Sequence, residues 1–348
     1  MIAVIFEGRE EMEVAEIPRP ECGEGEVLLQ IAACGICGGD ARSYFQGDAN
    51  TGTRRIPGHE MVGIVAESRD GKYKPGDRLA LAADVRCGAC WYCARELFNL
   101  CDNHRVLGKH MNGGLADYML LTRQVLQHGI VNRVPDGLSL LHAGVSEPLC
   151  SVLATHDDLR IERGETVLII GSGPMGILHL ELLRARGARV IMMARTHSRL
   201  DRARDDFGAE HIVAASDGDP VEQVRALTDG RGADVAIVAA PSPEAVMQSV
   251  WLVRKRGRIG LFGGLPVARR DAAIDINRVH YGEISLIGNF SYHPRYHRKS
   301  LDLLAAGAIR CDKLITKYAI EDTRHGLHDI RDGNVLKAVV VPNGGKLV

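Results

Sequence analysis

Thr166-Val167-Leu168-Ile169-Ile170-Gly171-Ser172-Gly173-Pro174-Met175-Gly176 is an apolar run that ends in a glycine pattern and opens into the helical stretch PMGILHLELLRARG. A G-x-G-x-x-G pattern is weak evidence alone, but directly after a strand and before a helix it predicts a dinucleotide site. Gly171 permits the tight turn, and Gly173 lets the backbone approach a pyrophosphate. Gly176 lets the helix pack close to the strand, with Pro174 and Met175 lying between the last two glycines. The helix N-terminus then offers free N–H groups and a partial positive charge to the phosphates.

Downstream, the pattern repeats as ARVIMMA, HIVAA, a charged helix over 220–229, DVAIVAA, a helix over 243–253, and RIGLFGG. Strands alternating with helices of this length predict an α/β fold with a parallel, doubly wound sheet. A further helix is expected over 295–306, and KAVVVP reads as a strand that rejoins the N-terminal domain. Upstream, the first 150 residues read as β-rich. Runs such as VLLQIAACG, MVGIVAES and RLALAADV are separated by Gly, Pro and Asp turns, with strands expected at Val27 to Gln30 and Val62 to Glu67. The expected boundaries are a catalytic domain over 1–152, a dinucleotide-binding domain over 153–289 and a return to the first domain over 290–348.

The chain has 348 residues, 45% hydrophobic and 25% charged, with a formal net charge of −1. That balance suits two ordinary globular domains and advertises neither a nucleic-acid nor a membrane partner. Only six apolar residues precede the first charge, too few for a secretory h-region. A cytoplasmic, reducing location is therefore expected for the nine cysteines.

The second strand should end in an acid that bonds the ribose 2′-OH when the cofactor is NAD. Here it ends in Met192-Met193-Ala194-Arg195-Thr196-His197-Ser198-Arg199. Ala194 stands in the acid's place and makes room for a 2′-phosphate, which the guanidinium groups of Arg195 and Arg199 suit. NADP(H) is expected over NAD(H). The alternative is that both arginines are solvated surface residues and either cofactor is accepted.

Four cysteines lie within fifteen residues: Cys87, Cys90, Cys93 and Cys101, in a lobe over 86–102. Thiolates this close in a chain without secretory signals predict a tetrahedral zinc rather than disulfides. A second constellation is looser. Cys37 lies in ACGICGGD and His59 in PGHEMVG, two turns near strand ends. A catalytic zinc needs three protein ligands and an open position. Glu60, beside His59, and Glu147, in SEPLC, are the candidates for the third.

From ACGICGGD through PGHEMVGIV, the cysteine lobe, SEPL and GSGPMG, the whole chain resembles the zinc-containing medium-chain alcohol dehydrogenases, and within them the sorbitol and polyol dehydrogenase branch. The resemblance implies a GroES-like catalytic domain with a structural zinc lobe beside a Rossmann domain. It makes Cys37 and His59 zinc ligands, Glu60 a direct or alternating ligand, and Glu147 the glutamate that the polyol branch has where other members have cysteine. It makes Asp40 the partner that orients His59, and implies two zinc ions per chain and a homodimer or homotetramer. The paired edges would lie near Arg258 to Gly263 and Ile284 to Ile287. The implied reaction passes hydride between the nicotinamide and a secondary carbinol of a polyol, sugar or cyclitol, with zinc as Lewis acid. Another small alcohol or an aldehyde is the alternative substrate, and a catalytically silent nucleotide-binding protein is the alternative class.

The family has Ser or Thr two residues after the catalytic Cys, to start a proton relay; here that position is Gly39. Glu60, a water, Ser43, Tyr44 or the substrate's own hydroxyls are the relay candidates. Asn289 to His293 reads equally as a hydroxyl-binding segment and as a surface loop.

Overall fold

A computed structural model describes residues 1–48 and 52–348. The chain forms two compact units. One comprises Met1–Cys150, Tyr292–Gly307 and Cys311–Val348, the other Ser151–Ser291 and Ala308–Arg310. The three-residue excursion 308–310 interrupts the expected return segment. Its cause is Arg310, whose backbone N–H and guanidinium bond the buried carboxylate of Glu181 at 2.9 and 2.7 Å.

In the second unit, the described residues form a six-stranded parallel sheet. Its order is His211–Ala214, Arg189–Ala194, Thr166–Ile170, Ala233–Val238, Val253–Leu261, Ser285–Gly288. Numbered along the chain, this is the 3-2-1-4-5-6 order of a doubly wound nucleotide fold, and the order reverses beside Thr166–Ile170. Its strands are nearly continuous apolar runs because they are buried: Leu168, Ile191, Ala236 and Ile259 are all fully covered. Burying each Leu or Ile contributes about 1.5–3 kcal/mol. The helix Pro174–Arg186 starts on a proline whose missing N–H costs nothing there, and stops at Gly187, whose φ of +74° suits glycine.

One expectation about the sheet is corrected. Arg258–Leu261 is not an edge, because it pairs in register with Ser285–Gly288. On that side the outermost strand is Ser285–Gly288.

The first unit is built around the strand Val27–Gly35, which pairs antiparallel with Glu60–Ser68, Tyr118–Leu121 and Lys337–Val340. Gly35 opposes Glu60, Val339 opposes Gly35, and Val340 opposes Cys34. These three registers bring residues about 300 positions apart in sequence to one strand end. Just beyond that end lies a helix, Gly38–Gln46, that the β-rich reading did not anticipate. Its two leading glycines mask it. Cys37 is its N-cap: the sulfur accepts the Gly39 N–H at 3.4 Å, and the Asp40 carboxylate accepts the Cys37 N–H at 2.9 Å. This reciprocal pair fixes both side chains before any ligand is considered. Among the described residues, no helix is long and apolar enough to cross a membrane.

Candidate active site

The donor atoms of Cys37, His59 and Glu60 lie within 4.8 Å of one another. Gly58 turns the chain into His59 with φ +93°, and a Cβ there would come within 2.6 Å of Cys34 Sγ. Glu60 opens its strand directly opposite Gly35 and is 1% exposed. A Cβ on Gly35 would fall 2.1 Å from Glu60 Oε2, so this glycine makes the slot in which the carboxylate lies. In that slot Glu60 forms a buried ion pair with Lys337, whose Nζ also donates to the Ile36 carbonyl at 3.1 Å. Lys337 was not anticipated as a site residue. Its partner lies 277 positions away, and only the pairing of the last strand brings them together.

Asp40 Oδ1 stands 3.6 Å from His59 Nδ1, so one carboxylate serves both the Cys37 backbone and the His59 ring. Burial alone would lower the proton affinity of His59, but the charges of Asp40, Cys37 and Glu147 raise it well above its ordinary value. Lys337 behaves likewise: burial opposes its charge, while Glu60 and Cys37 hold the proton on. The site therefore carries excess negative charge around a sulfur, a nitrogen and an oxygen donor within mutual reach. That donor set fits zinc.

Glu147 lies outside this set. It sits in the first turn of the helix Ser146–Asp158 and is 7% exposed, and its Oε1 accepts the Tyr292 hydroxyl at 2.5 Å. Burial pushes its carboxyl up to about 7; the His59 charge and the Tyr292 hydrogen bond oppose this and the Glu60 charge adds to it. The segment 289–293 thus divides: Phe290 is 61% exposed, whereas Tyr292 is buried on Glu147. Of the relay candidates, Tyr44 donates to the Glu10 carbonyl at 3.0 Å and Ser43 to Asp48 at 2.5 Å, so both are engaged elsewhere. Among the described residues, a Cβ at Gly39 would meet only Cys37 Sγ, at 3.7 Å, and at Gly38 nothing within 4 Å. Neither residue has a left-handed backbone. Space, and not conformation, is what these two glycines provide.

The lobe brings its cysteines together independently. Cys87 and Cys93 Sγ are 4.0 Å apart, and Cys90 and Cys101 Sγ 3.9 Å. Four sulfurs at about 2.3 Å from one zinc would sit roughly 3.8 Å apart. Backbone N–H groups of Ala89 and Cys90 pull the Cys87 thiol down to about 6, while burial pushes Cys101 up to about 12. Four thiolates are stable together there only around a cation.

At the nucleotide turn, a Cβ on Gly176 would fall 2.0 Å from the Gly171 carbonyl oxygen, and Gly171 has φ +121°. At Gly173 a Cβ would meet nothing within 4 Å. Gly176 and Gly171 are thus required by packing and conformation, whereas Gly173 leaves room. Beside it, the Ser172 hydroxyl is buried and has no hydrogen-bond partner among the described residues, a group the motif does not specify and a phosphate oxygen would satisfy. Ala194 ends its strand half-buried, and Arg195 and Arg199 are exposed beyond it.

The chain matches two known families in successive segments. Residues 174–306 match the zinc-binding dehydrogenase family and residues 23–134 the alcohol dehydrogenase GroES-like domain. D-arabitol-phosphate dehydrogenase of Enterococcus avium is 33% identical over 346 residues, which is 97% of this chain and 95% of that protein. Sorbitol dehydrogenase of Bacillus subtilis strain 168 is 28% identical over 352 residues, 99% of this chain and 98% of its own. A Sinorhizobium meliloti 1021 structure described as a zinc-binding dehydrogenase bound to NADP superposes with TM-score 0.90 at 31% identity, covering 98% of this chain and 99% of that one.

Proposed function

Because the chain belongs to the zinc-binding dehydrogenases with a GroES-like alcohol dehydrogenase domain, we propose that it interconverts a secondary alcohol of a polyol, sugar or cyclitol and the corresponding ketone, with NADP(H) preferred to NAD(H). The observation that carries this reading is the convergence of Cys37, His59 and Glu60 within 4.8 Å, with Glu147 buried outside the set. Cys37, His59 and Glu60 hold the catalytic metal, and Cys87, Cys90, Cys93 and Cys101 hold a structural one. When bound, zinc would supply Lewis acidity to an alcohol oxygen, and a nicotinamide would supply the hydride acceptor.

The remaining work falls to the chain's own residues. Lys337 holds the Glu60 carboxylate in its slot through their buried ion pair, and Asp40 orients the His59 ring. Glu147 receives the hydroxyl proton at Oε2, the oxygen that Tyr292 leaves free. The space in front of Gly38 and Gly39 admits a neighbouring hydroxyl of the substrate, in keeping with relatives that act on arabitol phosphate and sorbitol. Gly171, Gly173 and Gly176, with the Ser172 hydroxyl, cradle the pyrophosphate, and Arg195 and Arg199 take the 2′-phosphate in the room left by Ala194.

A cytoplasmic homodimer or homotetramer fits cysteines that form no disulfide among the described residues and the outermost strand Ser285–Gly288, which follows a helix carrying the exposed Ile276 and Tyr281. Light scattering after gel filtration tests the assembly; a monomer at micromolar concentration would refute it.

The decisive experiment is a screen of polyols, their phosphates, sugars and cyclitols, alongside single-hydroxyl alcohols, with NADP and NAD, following the reduced cofactor. Oxidation of a polyol-type substrate with higher kcat/KM for NADP is expected, and Arg199→Ala should narrow that preference. Turnover of single-hydroxyl alcohols only would sink the substrate assignment, and a strong NAD preference the cofactor assignment.

A further inference from the structure

Two residues of the return segment grip the helix turn that carries Glu147. Tyr292 is 4% exposed, and its hydroxyl has two partners: it donates to Glu147 Oε1 at 2.5 Å and accepts the Ala83 backbone N–H at 3.1 Å. A buried phenol with its donor and an acceptor position both engaged has little freedom to turn, and neither has the carboxylate it holds. One residue earlier, Ser146 Oγ pairs with His297 Nε2 at 3.0 Å, and His297 Nδ1 meets the Asn132 amide nitrogen at 2.9 Å. Asn132 donates to Nδ1, so Nε2 carries the proton and donates to Ser146; the tautomer is assigned from these partners. All of these groups belong to the first unit.

We propose that Tyr292 is a positioning residue for Glu147. It holds the carboxylate outside the Cys37–His59–Glu60 donor set and commits Oε1, so that Oε2 alone is left to meet a substrate hydroxyl. The His297–Ser146 bond supports it by fixing the start of the helix. This role rests on the proposed function, in which Cys37, His59 and Glu60 hold the metal with Glu147 beside it. Deleting an outer partner of a metal site typically costs about 10- to 100-fold in metal affinity or activity. A phenol that merely fills the core would behave differently: its loss would be felt equally whether or not Glu147 were present.

The test is a double-mutant cycle on the zinc enzyme with Tyr292→Phe, Glu147→Ala and their combination, together with the visible absorption spectrum of each protein after cobalt(II) replaces the catalytic metal. Tyr292→Phe is expected to lower kcat/KM by about tenfold or more, chiefly in kcat, and to alter the cobalt spectrum as the released carboxylate turns toward the metal. In the Glu147→Ala background the same substitution should change little in either readout. An equal fold-loss in both backgrounds, or a cobalt spectrum unchanged by Tyr292→Phe, overturns the proposal. If Glu147→Ala alone strips the catalytic metal, the underlying reading fails instead, since Glu147 is then a ligand. Should Tyr292→Phe fold poorly, His297→Gln supplies the second probe. It should alter the cobalt spectrum in the native background and not with Glu147→Ala; the same change in both, or none in either, counts against the positioning role.

Discussion

The cysteine lobe and the Cys37–His59–Glu60 set use similar donors in opposite ways. The lobe collects four sulfurs from fifteen consecutive residues by tight turns, and the backbone N–H groups of the same loop tune them. The second set draws three different donor atoms from two turns, and its supporting groups come from much further along the chain: Lys337 on the last strand and Tyr292 on the return segment. A site of one ligand type, closed on itself, can be specified locally. A site that must keep a position open for a substrate needs walls that hold further donors away, and here such supports come from tertiary pairing.

Breaking each side of this comparison should give different signatures. Cys37→Ser or His59→Ala should lower kcat/KM by about ten-thousandfold, roughly 5 kcal/mol of transition-state stabilisation, while the melting curve stays near the parent's. Metal analysis should find two zinc ions in the parent and one in the variant; an active variant would refute the assignment. Cys90→Ser should do the reverse, removing about 4 kcal/mol of stability by denaturant titration, as loss of a structural metal does, while molecules that remain folded keep their turnover. Lys337→Met is subtler. It strands a buried carboxylate, so the zinc-depleted protein should lose about 3 kcal/mol, and adding zinc should recover part of this because the cation compensates Glu60. A loss that zinc does not touch would show that Glu60 never meets the metal. The smallest effect is expected at Gly39→Ala. A helical φ/ψ with only a 3.7 Å contact should gain about 0.5 kcal/mol, while kcat/KM falls for polyols more than for single-hydroxyl alcohols.

The same contrast explains what could be read in advance. The strand–turn–helix at Thr166–Gly176 and the cysteine spacing are local patterns, and both arise from short-range geometry. The alternation of strands and helices was legible for the same reason. The helix Gly38–Gln46 was hidden because its capping sulfur is an unusual cap and its first two residues are poor helix formers. Of the two segments expected as edges, Ile284 to Ile287 covers the outermost strand, whereas Arg258 lies inside the sheet because that later strand pairs with it. Lys337 carries no signal of its own: KAVVVP reads as a strand, and only the register Val339 opposite Gly35 turns its lysine toward Glu60. Gly35 was the available clue, a glycine inside a strand that makes room for a close approach.

The insertion of Lys337–Val340 between Ile315–Tyr318 and Val27–Gly35 also orders events during biosynthesis. On a ribosome, the nucleotide-binding sheet is complete once Gly288 has emerged, and it can fold while the rest is still being made. The other sheet cannot close until residue 340 is free, and until then Glu60 lacks its lysine and Val27–Gly35 lacks a neighbour. A nascent chain therefore carries a completed parallel sheet while the sheet around Val27–Gly35 is still open, and Glu60 gains its lysine only after residue 337 has emerged.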